Sequence, residues 1–402
     1  MRVVHLSLTD FRNYESASLD LHPGPNLFVG SNGQGKTNLI EALGYLSTLG
    51  SHRVSVDHAM IRAGQASAIV RADIGYPASA ALVEVQINRT GANRAQVNRS
   101  AIRPRELPRY FSSVLFAPED LALVRGEPSG RRKFMDDLLV LRSPRLGGVL
   151  ADYERVLRQR NTLLKSARAS GVRGTQLSTL DIWDERLVAL GSEIIEARGE
   201  LVAELTPEVE AAYAAIAGSE HAASLASQLS VVSGSTDEAE QDVAPETLSR
   251  DRLTAEETAT AFRAALEKVR RSELDRGVTL VGPHRDDLVL TLNGLPARGY
   301  ASHGESWSFA LSLKLASAAV LKRESTGGDP VLILDDVFAE LDESRRGRLA
   351  DAVEHFEQVL ITAAVRNDVP DRLAGRVVMV NAGQIIEEPA AAASSGGGGD
   401  SD

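Results

Sequence analysis

The stretch that decides the fold is Gly30-Ser31-Asn32-Gly33-Gln34-Gly35-Lys36-Thr37. It matches the phosphate-loop pattern G-x-x-x-x-G-K-[ST], known as Walker A, in full. An apolar run at 26–29 predicts a short strand before the loop, and the pattern from residue 38 to about 49 predicts a helix after it. Strand, loop and helix in this order are the context that the pattern requires. They disfavour the alternative of a glycine-rich turn that matches by chance.

Each part of this loop predicts a contact with a nucleotide. Glycines let the backbone N–H groups turn inward, and the dipole of the following helix favours an anion at its N-terminus. The predicted phosphate-binding backbone is that of Gly30, Ser31, Asn32, Gly33, Gln34 and Gly35. Lys36 is predicted to reach the β- and γ-phosphates of ATP, and the Thr37 hydroxyl is predicted to ligate Mg²⁺.

A second candidate site lies at Val331-Leu332-Ile333-Leu334-Asp335-Asp336. A fully apolar strand of this kind is typical of a parallel sheet, and its carboxyl end lies at the edge where ligands bind. We read it as a Walker B strand in which Asp335 holds Mg²⁺ and Asp336 polarises the attacking water. The alternative is a strand end with two solvated aspartates, which the Walker A loop upstream disfavours.

Composition narrows the class of protein. The chain has 402 residues, 43% of them hydrophobic, which is enough for two or three domains with a sizeable core. It has no cysteine, so disulfides and cysteine nucleophiles are excluded. We predict no signal peptide, because apolar and polar residues alternate at the N-terminus. We predict no membrane span, because no long apolar run occurs. A formal charge of -11 argues against a simple nucleic-acid coat.

The order of predicted elements indicates an α/β protein with an inserted helical arm. Apolar and polar residues alternate at 68–74, 82–87 and 95–98, which predicts an antiparallel meander. Further strands are predicted at 113–116, 278–281, 288–292, 359–362 and 377–380. Residues 129–217 have helical spacing, and 218–257 reads as loop or weak structure. We therefore divide the chain into 1–121 (first part of a head, with Walker A), 122–272 (helical arm), 273–388 (second part of the head) and 389–402 (disordered tail).

A third motif identifies the class of NTPase. Ser302-His303-Gly304-Glu305 precedes a predicted helix and resembles the signature of ABC ATPases, and Ala339-Glu340-Leu341-Asp342 resembles their D-loop. Four further segments resemble the RecF family of bacterial ABC/SMC-like ATPases. They are Asp10-Phe11-Arg12-Asn13-Tyr14, residues 116–121, Gly282-Pro283-His284-Arg285-Asp286-Asp287 and residues 334–342.

The resemblance implies a fold and a function. The fold is an ABC-ATPase head, with a P-loop α/β core and an antiparallel β subdomain. The family implies a homodimer formed on ATP, in which Ser302 and Gly304 of one subunit complete the nucleotide site of the other. It also implies binding to single-stranded and gapped DNA, loading of a recombinase with RecR and RecO as partners, and roles in replication restart and the SOS response. Slow ATP hydrolysis in the cytoplasm is part of this expectation.

The chain departs from the ABC pattern at several positions. Most relatives have Asp-Glu at Walker B where this chain has Asp335-Asp336, and the shorter side chain predicts slow hydrolysis. His303 and Glu305 replace the glycine and glutamine of many signatures, while Ser302 and Gly304 are intact. No obvious Q-loop glutamine is present, and residues 116–120 are the candidate for its place.

Two clusters of basic residues are candidate contacts for DNA phosphates. One is Arg89, Arg94, Arg99, Arg103, Arg105 and Arg109, and the other spans 142–173 of the arm. The alternative is that these arginines lie on solvated surfaces and only reflect an arginine-rich proteome. Only the family resemblance favours DNA binding. For His284, Arg285 and Asp286, a structural role and a place near the nucleotide or dimer interface stay open.

Two other functions fit the Walker motifs. A transporter ATPase subunit should lack the long arm and needs a membrane partner. An SMC-like structural protein needs sustained heptads, and we expect the arm to be broken at Pro207 and in the serine-rich loop.

Overall fold

The computed structural model describes residues 1–170, 178–218, 221–233, 248–249 and 253–387. Its strands are β1 (Arg2–Phe11), β2 (Tyr14–Asp20), β3 (Gly24–Val29), β4 (Ser67–Gly75), β5 (Ala80–Asn88), β6 (Arg94–Val97), β7 (Ser100–Ile102), β8 (Ser113–Phe116), β9 (Ala223–Gln228), β10 (Leu248–Ser249), β11 (Asp287–Leu292), β12 (Leu295–Pro296), β13 (Val331–Asp335), β14 (Gln358–Ala363), β15 (Arg376–Asn381) and β16 (Gln384–Glu387). Its helices are α1 (Lys36–Thr48), α2 (Leu121–Arg125), α3 (Pro128–Arg142), α4 (Arg145–Ser170), α5 (Ser178–Ala217), α6 (Ser230–Ser233), α7 (Ala255–Arg276), α8 (Ala297–Tyr300), α9 (His303–Glu324) and α10 (Glu343–Val353).

The central sheet carries the two Walker motifs. Its strand order is β16-β15-β3-β14-β13-β8, and its strands pair in parallel except for β16. Successive residues of β13 face opposite sides, so that Val331 and Ile333 join one core while Leu332 and Leu334 join the other. A strand buried on both faces must be apolar along its length, which explains this run. Strand β14 separates the Walker A strand β3 from the Walker B strand β13.

A second, antiparallel sheet covers one face of the first. Its order is β2-β1-β4-β5-β6-β7, which confirms the predicted meander. Alternate residues of β4, among them Val70 and Ile74, are buried in the same core as Leu39 and Leu43 of α1. The period of two places one face of each strand in this core and leaves the other toward solvent.

Helices α3 to α5 and α7 form the predicted helical segment. α5 packs against α4, α7 and α9, and a small sheet of order β10-β9-β11-β12 lies beside them. Strand β9 belongs to this segment and pairs antiparallel with β11. Ala223 lies opposite Leu292 at one end of this pairing. The Asn293-Gly294 turn after β11 has positive φ at both residues (52° and 79°), as predicted for a tight hairpin.

Three details of the prediction are wrong. Residues 278–281 form no strand, because side chains such as Glu273 and Asn161 satisfy their backbone instead of a neighbouring strand. The arm is not broken at Pro207, which lies inside the 40-residue helix α5 between the buried residues Leu205 and Val209. Within 218–257, residues 223–228 are the strand β9 rather than loop. The predicted disordered tail, 389–402, lies outside the described residues.

Candidate nucleotide site

The phosphate loop joins the end of β3 to the start of α1. Tyr14 and Val380 lie close against its two ends. Gly33 and Gly35 have φ of 82° and 119°, values that L side chains rarely adopt. A Cβ on Gly35 would lie 2.7 Å from the Tyr14 hydroxyl, and a Cβ on Gly30 would collide with the Val380 carbonyl oxygen. All three glycines of the loop are therefore required, either by backbone conformation or by close approach of a neighbouring atom.

Lys36 is the first residue of α1, and its side chain turns back over the loop. The residue is only 3% exposed, and its Nζ donates to the Gly30 carbonyl oxygen at 2.8 Å and weakly to that of Ser31 at 3.5 Å. A buried ammonium needs such acceptors. This arrangement places the cation at the rim formed by the inward-facing backbone of residues 30–35.

Thr37 and Asp335 bring the two Walker motifs together. The Thr37 hydroxyl donates to Asp335 Oδ1 at 3.0 Å, although the residues are far apart in sequence. A hydroxyl and a carboxylate oxygen are ligands that suit Mg²⁺, which keeps waters and substrate phosphates for its other positions. The residues present therefore fit this ion, and Thr37 and Asp335 are the residues that would hold it.

Thr362, at the end of β14, was missed by the sequence reasoning. Its hydroxyl donates to Asp335 Oδ1 at 2.6 Å and accepts from the Asp336 backbone N–H at 2.9 Å. Asp336 itself has a φ of 49°, in the left-handed region that residues other than glycine seldom adopt. Burial raises the pKa of Asp336, and the nearby Lys36 opposes this shift. His52 Nε2 also approaches Asp335, at 3.6 Å from Oδ2.

The segment Arg12-Asn13-Tyr14 supports the loop from behind. Asn13 Nδ2 donates to the Gln34 carbonyl oxygen and the Tyr14 hydroxyl to that of Gly35, both at 3.2 Å. Arg12 Nε donates to Glu41 of α1 at 2.8 Å. Burial raises the pKa of Tyr14, so its hydroxyl stays a neutral donor. The sequence marked this segment only by resemblance, and the structure shows its contacts.

The signature residues lie at the N-terminus of α9. Ser302 caps the helix, since its hydroxyl accepts from the Glu305 N–H at 3.3 Å and the Glu305 carboxylate accepts from the Ser302 N–H at 2.7 Å. In the part of the chain that the structure describes, no hydrogen bond or ion pair joins Ser302 or Gly304 to residues 30–37. Within one subunit, the structure thus brings Walker A and Walker B together but not the signature.

Residues 282–287 pack against the helical segment. Asp287 forms an ion pair of 2.7 Å with Arg131 of α3, and Arg198 of α5 donates to the Pro283 carbonyl oxygen at 2.7 Å. His284 Nδ1 lies 2.7 Å from the Tyr153 hydroxyl, and burial lowers the pKa of this histidine to about 3. Desolvation likewise raises the pKa of Asp286 to about 6. These contacts favour the structural alternative that the sequence left open.

Residues 116–120 begin at the end of β8, the strand that pairs with the Walker B strand β13. The Ala117 N–H donates to Asp120 Oδ2 at 2.8 Å, and Lys314 of α9 pairs with Asp120 at 2.9 Å. The segment contains no glutamine, so its proposed place as the Q-loop stays a prediction.

The two basic clusters differ in their ion pairs. In the arm, Arg142 pairs with Glu204 at 2.9 Å, Arg155 with Asp152 at 2.9 Å and Arg158 with Glu154 at 3.2 Å. Helices α5 and α9 supply acids, such as Glu204 and Glu324, that lie far from the arm cluster in sequence. By contrast, the described acids form no ion pair with Arg94, Arg99, Arg103, Arg105 or Arg109, all of which are exposed.

Among the described residues, no helix has the length and apolar character needed to cross a bilayer.

Comparison with known proteins agrees with this geometry. The family model described as "RecF/RecN/SMC N terminal domain" matches residues 2–383. The chain is 65% identical to the "DNA replication and repair protein RecF" of Clavibacter sepedonicus over 97% of its own length and 96% of the relative. A solved structure of the "recombination mediator protein RecF-ATPrS in RecFOR pathway" is 28% identical, with a TM-score of 0.84 over 96% of this chain and 98% of that one. An Smc head domain from Pyrococcus furiosus, 15% identical over 96% of both chains, has the same fold at a TM-score of 0.52.

Fold and site thus define an ABC-ATPase-type head of the kind found in SMC proteins. Within that class, the chain belongs to the RecF family of DNA replication and repair proteins.

Proposed function

We propose that this protein is an ATP-dependent, DNA-binding protein of recombinational repair that dimerises when it binds ATP. The observation that carries the proposal is the hydrogen-bonded link from Thr37 through Asp335 to Thr362, which joins Walker A to Walker B. Such a link is what an Mg²⁺–ATP site needs at the edge of a parallel sheet. A relative of the same fold has been solved with ATP, which supports the same ligand here.

Each site residue has a proposed role. The backbone of residues 30–35 and the Lys36 ammonium bind the phosphates, while Thr37 and Asp335 hold Mg²⁺. Asp336 polarises the attacking water, and its short side chain makes hydrolysis slow. DNA stimulates this hydrolysis by favouring the dimer. The signature residues Ser302 and Gly304 act on the partner's nucleotide, because no hydrogen bond or ion pair of the described residues joins them to their own subunit's loop.

The DNA surface is proposed to be the exposed edge of the antiparallel sheet rather than the arm. Ala95 pairs with Ile102 at the end of the β6–β7 ladder, and the exposed residues Arg94 and Arg103 flank this pair in sequence. Acids already neutralise much of the arm cluster, whereas this edge has uncompensated charge for phosphates.

The biological context is proposed from the family. The protein acts in the cytoplasm on single-stranded and gapped duplex DNA, and with RecR and RecO it helps to load the recombinase. Its roles lie in replication restart and the SOS response. The similar RecF structure, placed in the RecFOR pathway, supports these partners.

Sedimentation with and without ATP and gapped DNA tests the proposal. We expect a monomer alone, a dimer with ATP and Mg²⁺, and a DNA-bound dimer when gapped DNA is added. A chain that stays monomeric with ATP, or that binds no DNA, would contradict the corresponding part of the proposal.

The DNA surface has its own test, with a matched control in the arm. Binding should weaken with salt at a log–log slope of about −0.9 per neutralised phosphate. Changing Arg94, Arg99 and Arg103 to glutamine should make this slope shallower. Changing Arg155 and Arg158 to glutamine should leave the slope unaltered, since acids already occupy them. The reverse pattern would return the DNA contact to the arm.

A further inference from the structure

Arg345 connects the D-loop to the signature helix. It lies in the first turn of α10, where the Asp342 carboxylate accepts from its backbone N–H at 2.9 Å and from its Nη1 at 2.7 Å. Its Nε donates to the Ser308 hydroxyl at 3.2 Å, and Ser308 in turn donates to the Gly304 carbonyl oxygen at 3.0 Å. One guanidinium group therefore bonds the last residue of the D-loop and the second turn of α9.

Gly304 is the residue against which this guanidinium packs. A Cβ at Gly304 would lie 2.8 Å from Nη1, 2.9 Å from Nη2 and 3.1 Å from Cζ of Arg345. Contacts below 3.0 Å require one partner to move, and here that partner is the end of a flexible side chain, whose movement would disturb its bonds to Asp342 and Ser308. The contact with Arg345 thus favours glycine at position 304 within one subunit, in addition to any role of this residue toward a phosphate.

The electrostatics reflect the contact between Arg345 and the acids beside it. Its side chain is 29% exposed, so solvent screens it only in part. The hydrogen bond from the Arg345 backbone, followed by the charge of its side chain, lowers the pKa of Asp342. Glu305, in the first turn of α9, also has a lowered pKa, chiefly through its hydrogen bonds with Ser302 and to a smaller extent through Arg345.

We propose that Arg345 is a positioning residue that holds the signature and the D-loop of one subunit as a single unit facing the partner's nucleotide. The inference rests on the proposed ATP-dependent dimer. In such a dimer the signature must meet the other subunit's phosphates, and the bonds of Arg345 fix the end of the D-loop beside the signature. A rigid connection between them lowers the entropic cost of forming that site.

The main test replaces Arg345 with glutamine. The variant should bind ATP normally, because residues 30–37 are untouched. ATP-dependent dimerisation should weaken about 10-fold to 100-fold, within the range typical of coupling between two sites. Arg348→Gln is the matched control on the same helix, since Arg348 donates to the Ile216 carbonyl oxygen of α5 instead. That control should dimerise like the parent protein, and a similar loss in both variants would overturn the inference.

Mixing variants separates a role across the dimer from a role within one subunit. In a mixed dimer of Arg345→Gln with Lys36→Ala, one composite site has both defects and the other has neither. ATP hydrolysis by the mixture should therefore exceed that of each variant alone. No gain in this mixture, while a Ser302→Arg with Lys36→Ala mixture does gain, would overturn the role of Arg345 alone. No ATP-dependent dimer of the parent protein would overturn the proposed function and this inference with it.

A double-mutant cycle tests the link to Gly304. Gly304→Ala should impair dimerisation in the parent protein, because its Cβ displaces the guanidinium. In an Arg345→Ala background the same change should do much less further harm, because the space is then free. Effects that simply add would show that the two residues act independently, which contradicts the proposal.

Discussion

A single hydroxyl near the end of β14 bonds both Walker B residues, through the Asp335 carboxylate and the Asp336 backbone N–H, and its removal gives the sharpest prediction. Thr362 is fully buried, and Thr362→Val keeps its shape while deleting the donor to Asp335 and the acceptor for the Asp336 N–H. A hydrogen bond to a charged group contributes about 1.5–3 kcal/mol, and an unsatisfied buried N–H costs about 1–3 kcal/mol. Because Asp335 is the proposed Mg²⁺ ligand, loss of this partner should weaken Mg²⁺ binding about 10-fold to 100-fold.

The assay is a Mg²⁺ titration of ATP hydrolysis at saturating ATP. The half-saturating Mg²⁺ concentration of Thr362→Val should rise by this factor, and its thermal unfolding should occur at a lower temperature. Thr362→Ser is the control, because it keeps the hydroxyl and loses only a methyl group. If Thr362→Val needs no more Mg²⁺ than the parent protein, Thr362 does not orient the metal ligand and the reasoning is refuted.

Four further predictions concern other positions. Lys36→Ala should abolish ATP binding in calorimetry, because the loop loses its cation; normal affinity would remove the assignment. Asp336→Asn should bind ATP but not hydrolyse it and should accumulate as a dimer in sedimentation, whereas unchanged turnover would assign the water to another group. Ser302→Arg should bind ATP but fail to dimerise, and a normal dimer would contradict the composite site. Arg160→Leu should lower the free energy of unfolding by about 3–5 kcal/mol in denaturant titrations, because Glu273 loses its buried partner and Asp184, among the described residues, keeps only Arg270; a change below 1 kcal/mol would show that Glu273 finds another partner.

Local patterns predicted the two Walker elements well. The phosphate loop, the strand before it and the helix after it are contiguous in sequence, so their geometry follows from residue types at fixed spacing. The apolar run of β13 likewise reports burial on both faces of a parallel sheet. The capping box of Ser302 and Glu305 is another local signal, and the structure confirms a helix there.

Long-range contacts explain what the sequence did not predict. Residues 278–281 have the apolar character of a strand, but side chains from α4 and α7 take up their backbone groups. Pro207 loses one helical hydrogen bond, which the packing of α5 against α4, α7 and α9 outweighs. The pairing of the arm arginines depends on acids such as Glu204 and Glu324, which are remote in sequence.

Thr362 shows how a functional residue can be hidden although its signal is present. Thr362 is the last residue but one of β14, and in the sheet register it is the direct partner of Asp335, the last residue of β13. Sequence order places β14 after β13, so nothing in the pattern puts it between the two Walker strands. The observed order β3-β14-β13 does so, and the carboxyl ends of parallel strands then meet at one edge. Once that order is known, the last residues of β14 must lie between the Walker A loop and the Walker B carboxylates, and a hydroxyl there can bond to both Asp335 and Asp336.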